Sequence, residues 1–110
     1  MDYRNGINKV VLVGHICNET AMEAQPGSVE YLRFRFVTQE RIAKKAGNED
    51  HAEYHIISVP AGMLRSGTRY LSKDKLICLE GKLKTKSDTD SDGIKRYQTE
   101  ILVSKLYSVG

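Results

Sequence analysis

The 110-residue chain is 40% hydrophobic, enough for one small core and too short for two, so residues 1–110 are read as a single domain. No apolar run approaches the ~18 residues that a membrane-spanning helix needs. Residues Met1 to Gly6 carry no signal-peptide stretch, which predicts a cytoplasmic protein without a membrane partner. The net charge is only +3, but between Tyr31 and Lys86 twelve Lys and Arg stand against six acids, so that section is +6 and the flanks are net acidic by three. A cationic field localised in this way favours a polyanion such as nucleic acid.

In chain order, Ile7 to Ile16 is a β-branched run too apolar for a half-exposed strand, which predicts cover on both faces. A domain this small cannot supply all of that cover, so Ile7, Lys9, Val11 and Val13 are expected at an interface between copies. Asn18 to Ser28 shows no periodicity and holds the turn signature Pro26-Gly27. Tyr31 to Val37 then alternates. Leu32, Phe34 and Phe36 point to one side and Tyr31, Arg33, Arg35 and Val37 to the other, giving an apolar underside and a face of two arginines beside a ring. Lys44 to Asn48 reads as a basic loop tip. Ala52 to Val59 is the third strand, with Tyr54, Ile56 and Ser58 on one face, and Pro60 ends it because proline has no amide hydrogen for the ladder. From Ala61 to Leu71 the spacing of Leu64, Thr68 and Leu71 suggests one short helix.

Leu76 to Lys86 changes character along its length. Leu76 to Leu79 is apolar, as in a strand covered on both faces, whereas Lys82, Lys84 and Lys86 alternate with Leu83 and Thr85. Gly81 sits near the change, where the lack of a β-carbon permits a bend or a close backbone approach. Ser87 to Gly93 is a run of turn formers and Ile94 to Val103 a second leg, so the two make an arm, basic on its first leg, that can wrap a partner. Cys17 and Cys78 have no metal-site or disulfide spacing and are expected as free buried thiols. Asp88, Asp90 and Asp92 lack the spacing and terminal glutamate of a calcium loop, and no nucleophile motif accompanies His15, His51 or His55. Neither catalysis nor a metal or other cofactor is expected.

Five strands, read as antiparallel, with a short helix between the third and fourth are the layout of the OB-fold, an all-β, partly open Greek-key barrel that binds oligonucleotides on the face of its second and third strands. Those strands display Tyr31, Arg33, Arg35 and Tyr54, which are cations for phosphates and flat rings on which unpaired bases stack. An OB barrel that holds partner proteins and touches nucleic acid weakly is the alternative.

Ile7 to Gly14 resembles the opening of the bacterial single-stranded DNA-binding proteins, and Glu53-Tyr54-His55 resembles their strand-three signature. Tyr70 to Lys73, Leu79 to Thr85 and Arg96 to Glu100 fit the same pattern in the same order. The resemblance covers nearly the whole chain. It implies an OB-fold, a homotetramer or homodimer whose interface includes His55, and coating of single-stranded DNA in the nucleoid during replication, recombination or repair, with other replication proteins as partners. It also implies stacking platforms at the positions of Ile42, Tyr54, Pro60 and Asp88, of which only Tyr54 is aromatic here. The sequence stops at Gly110 without the family's long acidic-tipped tail, and in that respect is similar to the primosomal replication protein N, a dimeric OB protein. With three of four platforms gone, binding is expected to be mainly electrostatic. The expected nucleic-acid residues are Tyr31, Arg33, Arg35, Lys44, Lys45, Tyr54, Lys73, Lys82, Lys84 and Lys86.

Overall fold

Alternating apolar positions, punctuated by Gly, Pro and Asp, give six strands. The computed structural model describes residues 5–18, 20–24, 30–64 and 71–109. The strands are β1 (Val10–Ile16), β2 (Ala21–Ala24), β3 (Glu30–Lys44), β4 (Gly47–Pro60), β5 (Leu76–Thr89) and β6 (Lys95–Ser108). Hydrogen-bonded neighbours run β1-β5-β6-β4-β3-β2, and a second pairing of β1 with β3 closes five of these strands into a barrel. This is the predicted OB-type architecture. One neighbouring pair, β4 and β6, is parallel, through Ile57↔Ile101 and Ser58↔Leu102. The expectation of five antiparallel strands is corrected on that point, because a closed ring with an odd number of strands cannot alternate direction all the way round.

The interior is filled by one face of each strand. Leu32, Phe34 and Phe36 from β3 meet Ile57 and Val59 from β4, Ile77 and Leu79 from β5, Ile101 and Val103 from β6, and Ile16 from β1. The alternation read in Tyr31 to Val37 is therefore the inside–outside alternation of the barrel wall. Closure demands two close backbone approaches. A Cβ on Gly14 would lie 2.1 Å from the Val37 carbonyl oxygen, and one on Gly81 2.2 Å from that of Leu102. The β5–β6 register slips between Glu80 and Gly81, which face Lys105 and Val103, so a β-bulge at Ser104 of β6 lies opposite the predicted bend.

Two further expectations are corrected, for Ala21–Ala24 and for the burial of the cysteines. Ala21–Ala24, within a stretch read as turn, forms a short edge strand on β3, and its four residues are too few to show a period; Pro26-Gly27 lies outside the described residues. Of the helix expected over Ala61 to Leu71, the described residues contain one 3-10 turn, Ala61–Met63, while residues 65–70 lie outside the description. Within one chain β1 is covered on a single face, leaving Val11 57% and Val13 52% exposed. Cys17 and Cys78 are free as expected but only half-buried.

Candidate nucleic-acid interface

The outer face of the barrel wall is assembled by register. Across β3–β4, Arg33 lies opposite Ser58 and Arg35 opposite Ile56. Ser58 neighbours Leu102 on β6, and Leu102 and Glu100 lie opposite Lys82 and Lys84 on β5. Period-two alternation, locked by the buried Phe34, Phe36, Ile57 and Ile101 beneath, thus turns Arg33, Arg35, Lys82 and Lys84 outward on one continuous surface. Tyr54, 61% exposed, stands on it with the Arg35 guanidinium 5.7 Å from its ring centroid. A cleft of about 250 Å³ opens beside them, lined also by His55, Ile56, Leu83 and Ile101.

The cations fall into two groups. Arg33 Nη2 donates to Glu100 Oε2 at 2.8 Å and Lys86 Nζ to Glu100 Oε1 at 3.1 Å. Lys86 also lies 5.9 Å from the Tyr31 ring centroid. In the β3–β4 hairpin Lys44 pairs with Glu49, and Arg41 with Asp50 at 3.1 Å. Of the expected basic tip, Lys44 is thus matched by the second strand of its own hairpin, as is Arg41 before it. No carboxylate pairs among the described residues with Arg35, Lys82 or Lys84, the other three cations that the wall turns outward. Lys45 occupies the hairpin turn, and Lys73 an exposed turn whose next residue, Asp74, donates its N–H to the Ile16 carbonyl at 2.8 Å.

Tyr97, absent from the sequence-based site, is 67% exposed on β6 beneath the Lys95 ammonium, 5.5 Å from its ring centroid. It lines a cleft of about 580 Å³ with Arg33, Lys86 and Arg96. Its signal in the sequence was the Lys-Arg-Tyr run at the start of the arm's second leg, which a charge count ending at Lys86 passed over. Asp90 organises the preceding turn. Its carboxylate accepts from the backbone N–H of Ile94, the Arg96 guanidinium and the Asp92 N–H, bonds that hold its pKa below the ordinary range. The aspartate run is therefore a turn-former, and the described residues contain no cluster suited to a metal ion.

His55, expected at the interface between copies, bonds Thr38 Oγ1 within the chain through Nε2 at 3.0 Å and lines the Tyr54 cleft. The other expected interface residues stay together. Lys9, Val11 and Val13 lie along the free side of β1, with Lys9 Nζ 2.8 Å from Glu80 Oε1, and Ile7 is exposed just before the strand. The Asn8 side chain both donates to and accepts from the Leu83 backbone, at 2.8 and 2.9 Å, extending the β1–β5 ladder beyond Val10.

The model of the single-strand binding protein family matches residues 7–109. Over 107 residues the chain is 30% identical to single-stranded DNA-binding protein 1 of Chlorobaculum tepidum, covering 96% of this chain and 66% of that protein. It is 31% identical over 100 residues to single-stranded DNA-binding protein 3 of Clostridium acetobutylicum, covering 91% of this chain and 69% of the relative. The chain thus spans about two thirds of the length of these relatives. Among solved structures, a Plasmodium falciparum single-stranded DNA-binding protein in complex with single-stranded DNA superimposes with a TM-score of 0.83 at 20% identity, covering 99% of this chain and 100% of that one. The protein from Thermus aquaticus gives 0.75 at 23% identity, covering 96% and 51%. At these identities the likenesses show the fold.

Proposed function

The chain belongs to the single-strand binding protein family, and from that premise we propose that it binds single-stranded DNA, without catalysis and with little sequence preference, in replication, recombination or repair. The observation that carries the reading is the pairing of the exposed Tyr54 ring with the Arg35 guanidinium on a wall that also turns Lys82 and Lys84 outward. A ring offers a stacking surface to any base, and the cations take the phosphates on either side. The strand runs over the outer face of β3 and β4 and onto the β5–β6 arm, where Tyr97 supplies a second ring. Two copies or more assemble through β1 and the sheet beside it.

Binding is chiefly electrostatic. Each phosphate neutralised on a single strand contributes about −0.7 to the log–log salt slope, so engaging about three to five of Arg35, Lys45, Lys73, Lys82 and Lys84 gives a slope of about −2 to −3.5. Fluorescence anisotropy of labelled oligo(dT) across a NaCl series tests this. Tyr54→Ala lowers affinity at nearly constant slope, because a stacked base is worth ~1–3 kcal/mol and a ring carries no charge. Arg35→Ala and Lys84→Ala each make the slope shallower by about 0.7. Wild-type behaviour in all three variants would put the strand on another face, and no binding at any salt would favour a protein-interaction module.

A further inference from the structure

Among the described residues Glu100 is the one buried carboxylate on this wall, 2% exposed. It sits on β6 opposite Lys84, its oxygens shared between Arg33 from β3 and Lys86 from β5. The two cations lie further out than the carboxylate, with side chains 21% and 31% exposed, so a phosphate reaching the wall meets them first. It does not meet two full positive charges. A desolvated carboxylate at hydrogen-bonding distance of both offsets one positive charge of the trio. The balance extends into the neighbouring cleft, where Arg33, Lys86 and Arg96 are matched by Glu100 and by Asp88 and Asp90 from the arm's turn.

We propose that Glu100 is an affinity-setting residue of the single-strand site: a built-in counter-ion that offsets one positive charge of Arg33 and Lys86 and thereby limits how many phosphates this end of the site engages. The inference rests on the reading that the wall and arm bind single-stranded DNA. It explains why a face with so many cations is not uniformly cationic. The charge is set from beneath the two cations, on the outer side of the wall, since the carboxylate is buried and they are not.

The test is anisotropy of labelled oligo(dT) across the NaCl series with three variants. Glu100→Gln keeps the shape, removes the charge and takes the trio to +2. The expected result is a slope steeper by about 0.7 and affinity raised about fivefold at 0.1 M NaCl, as one more phosphate contact gives. Lys86→Gln takes the trio to zero and makes the slope shallower by about 0.7. Glu100→Gln combined with Lys86→Gln returns it to +1 and restores the wild-type slope, a recovery that a residue serving only to brace the barrel would not produce. If circular dichroism shows that Glu100→Gln does not fold, the double variant is compared with Lys86→Gln: a slope steeper by about 0.7 in the double variant supports the proposal and equal slopes overturn it. Equal or weaker binding by folded Glu100→Gln, in a protein whose affinity for oligo(dT) still depends on Tyr54, overturns the counter-ion and leaves the binding reading standing. Failure of the wild type to bind oligo(dT) at low salt overturns both.

Discussion

At Gly81 the barrel has no room for a methyl group. The nearest atoms to a Cβ there belong to the Leu102 and Val103 backbone, which cannot rotate away as a side chain would. Gly81→Ala is therefore expected to cost about 2–3 kcal/mol through overpacking at the bulge, lowering the melting temperature by the order of 10 °C in a domain of this size, as followed by circular dichroism. An unchanged melting temperature would mean that the bulge relaxes at no cost. Gly81 was legible in the sequence because it interrupts a run that is apolar on one side and basic on the other. Glu100 was not. Its closer partner, Arg33, lies 67 positions away, and only barrel closure brings the two side chains together. A one-dimensional count sees Arg33 and Lys86 as cations and Glu100 as an acid in a flank, whereas their meaning is set by the contact.

The strands that alternate apolar and polar residues were readable, and those that leave the core were not. β3 and β4 run on past Val37 and Tyr54 as a two-stranded arm exposed on both sides, so no apolar period marks residues 38–51 as strand. The arm is held instead by its ladder, by a two-residue turn at Lys45–Ala46 followed by Gly47 at φ 120°, and by paired charges. His51 belongs to this network. Its ring meets Glu53 Oε1 at 2.7 Å, and the hydrogen bond and charge of Glu53, with weaker contributions from Glu40 and Glu49, raise its pKa above the ordinary value. A raised folded-state pKa means that His51 stabilises the fold fully below about pH 6.5 and that this contribution fades as pH rises through the folded value. A proton NMR titration is expected to give His51 a midpoint above that of an ordinary imidazole, and Glu53→Gln to bring it down. A normal midpoint in the wild type would show the pair to be open in solution. The protonated ring also reduces the arm's acidic excess, so the arm repels DNA less in mildly acidic solution.

For the whole molecule, the decisive feature is the sheet face that the closed barrel leaves uncovered. Val11 and Val13 on β1 lie opposite Glu80 and Cys78 on β5, which in turn lie opposite Lys105 and Tyr107 on β6. Val11, Val13 and Tyr107 are all more than half exposed, and around them Glu80 is bridged by Lys9 and more distantly by Lys105. An apolar patch spanning three strands with a charged rim has the anatomy of an interface. The patch also accounts for the sequence pattern: Ile7 to Val13 reads as covered on both faces because β-branched residues occupy both sides of the strand, although one chain supplies cover for only one of them. A second copy laid on this face would cover the other, with the same residues meeting on each side of a two-fold axis. Multi-angle light scattering is therefore expected to give a mass above 12.4 kDa at micromolar concentration, a dimer or a tetramer. Val11→Asp places a carboxylate at the centre of the patch, where assembly would bury it without a partner, and is expected to shift the mass toward the monomer. Because Val11 points away from the barrel interior, circular dichroism of the variant should remain that of the folded barrel. A wild-type monomer, or an unchanged mass in a folded Val11→Asp variant, would remove β1 from the interface.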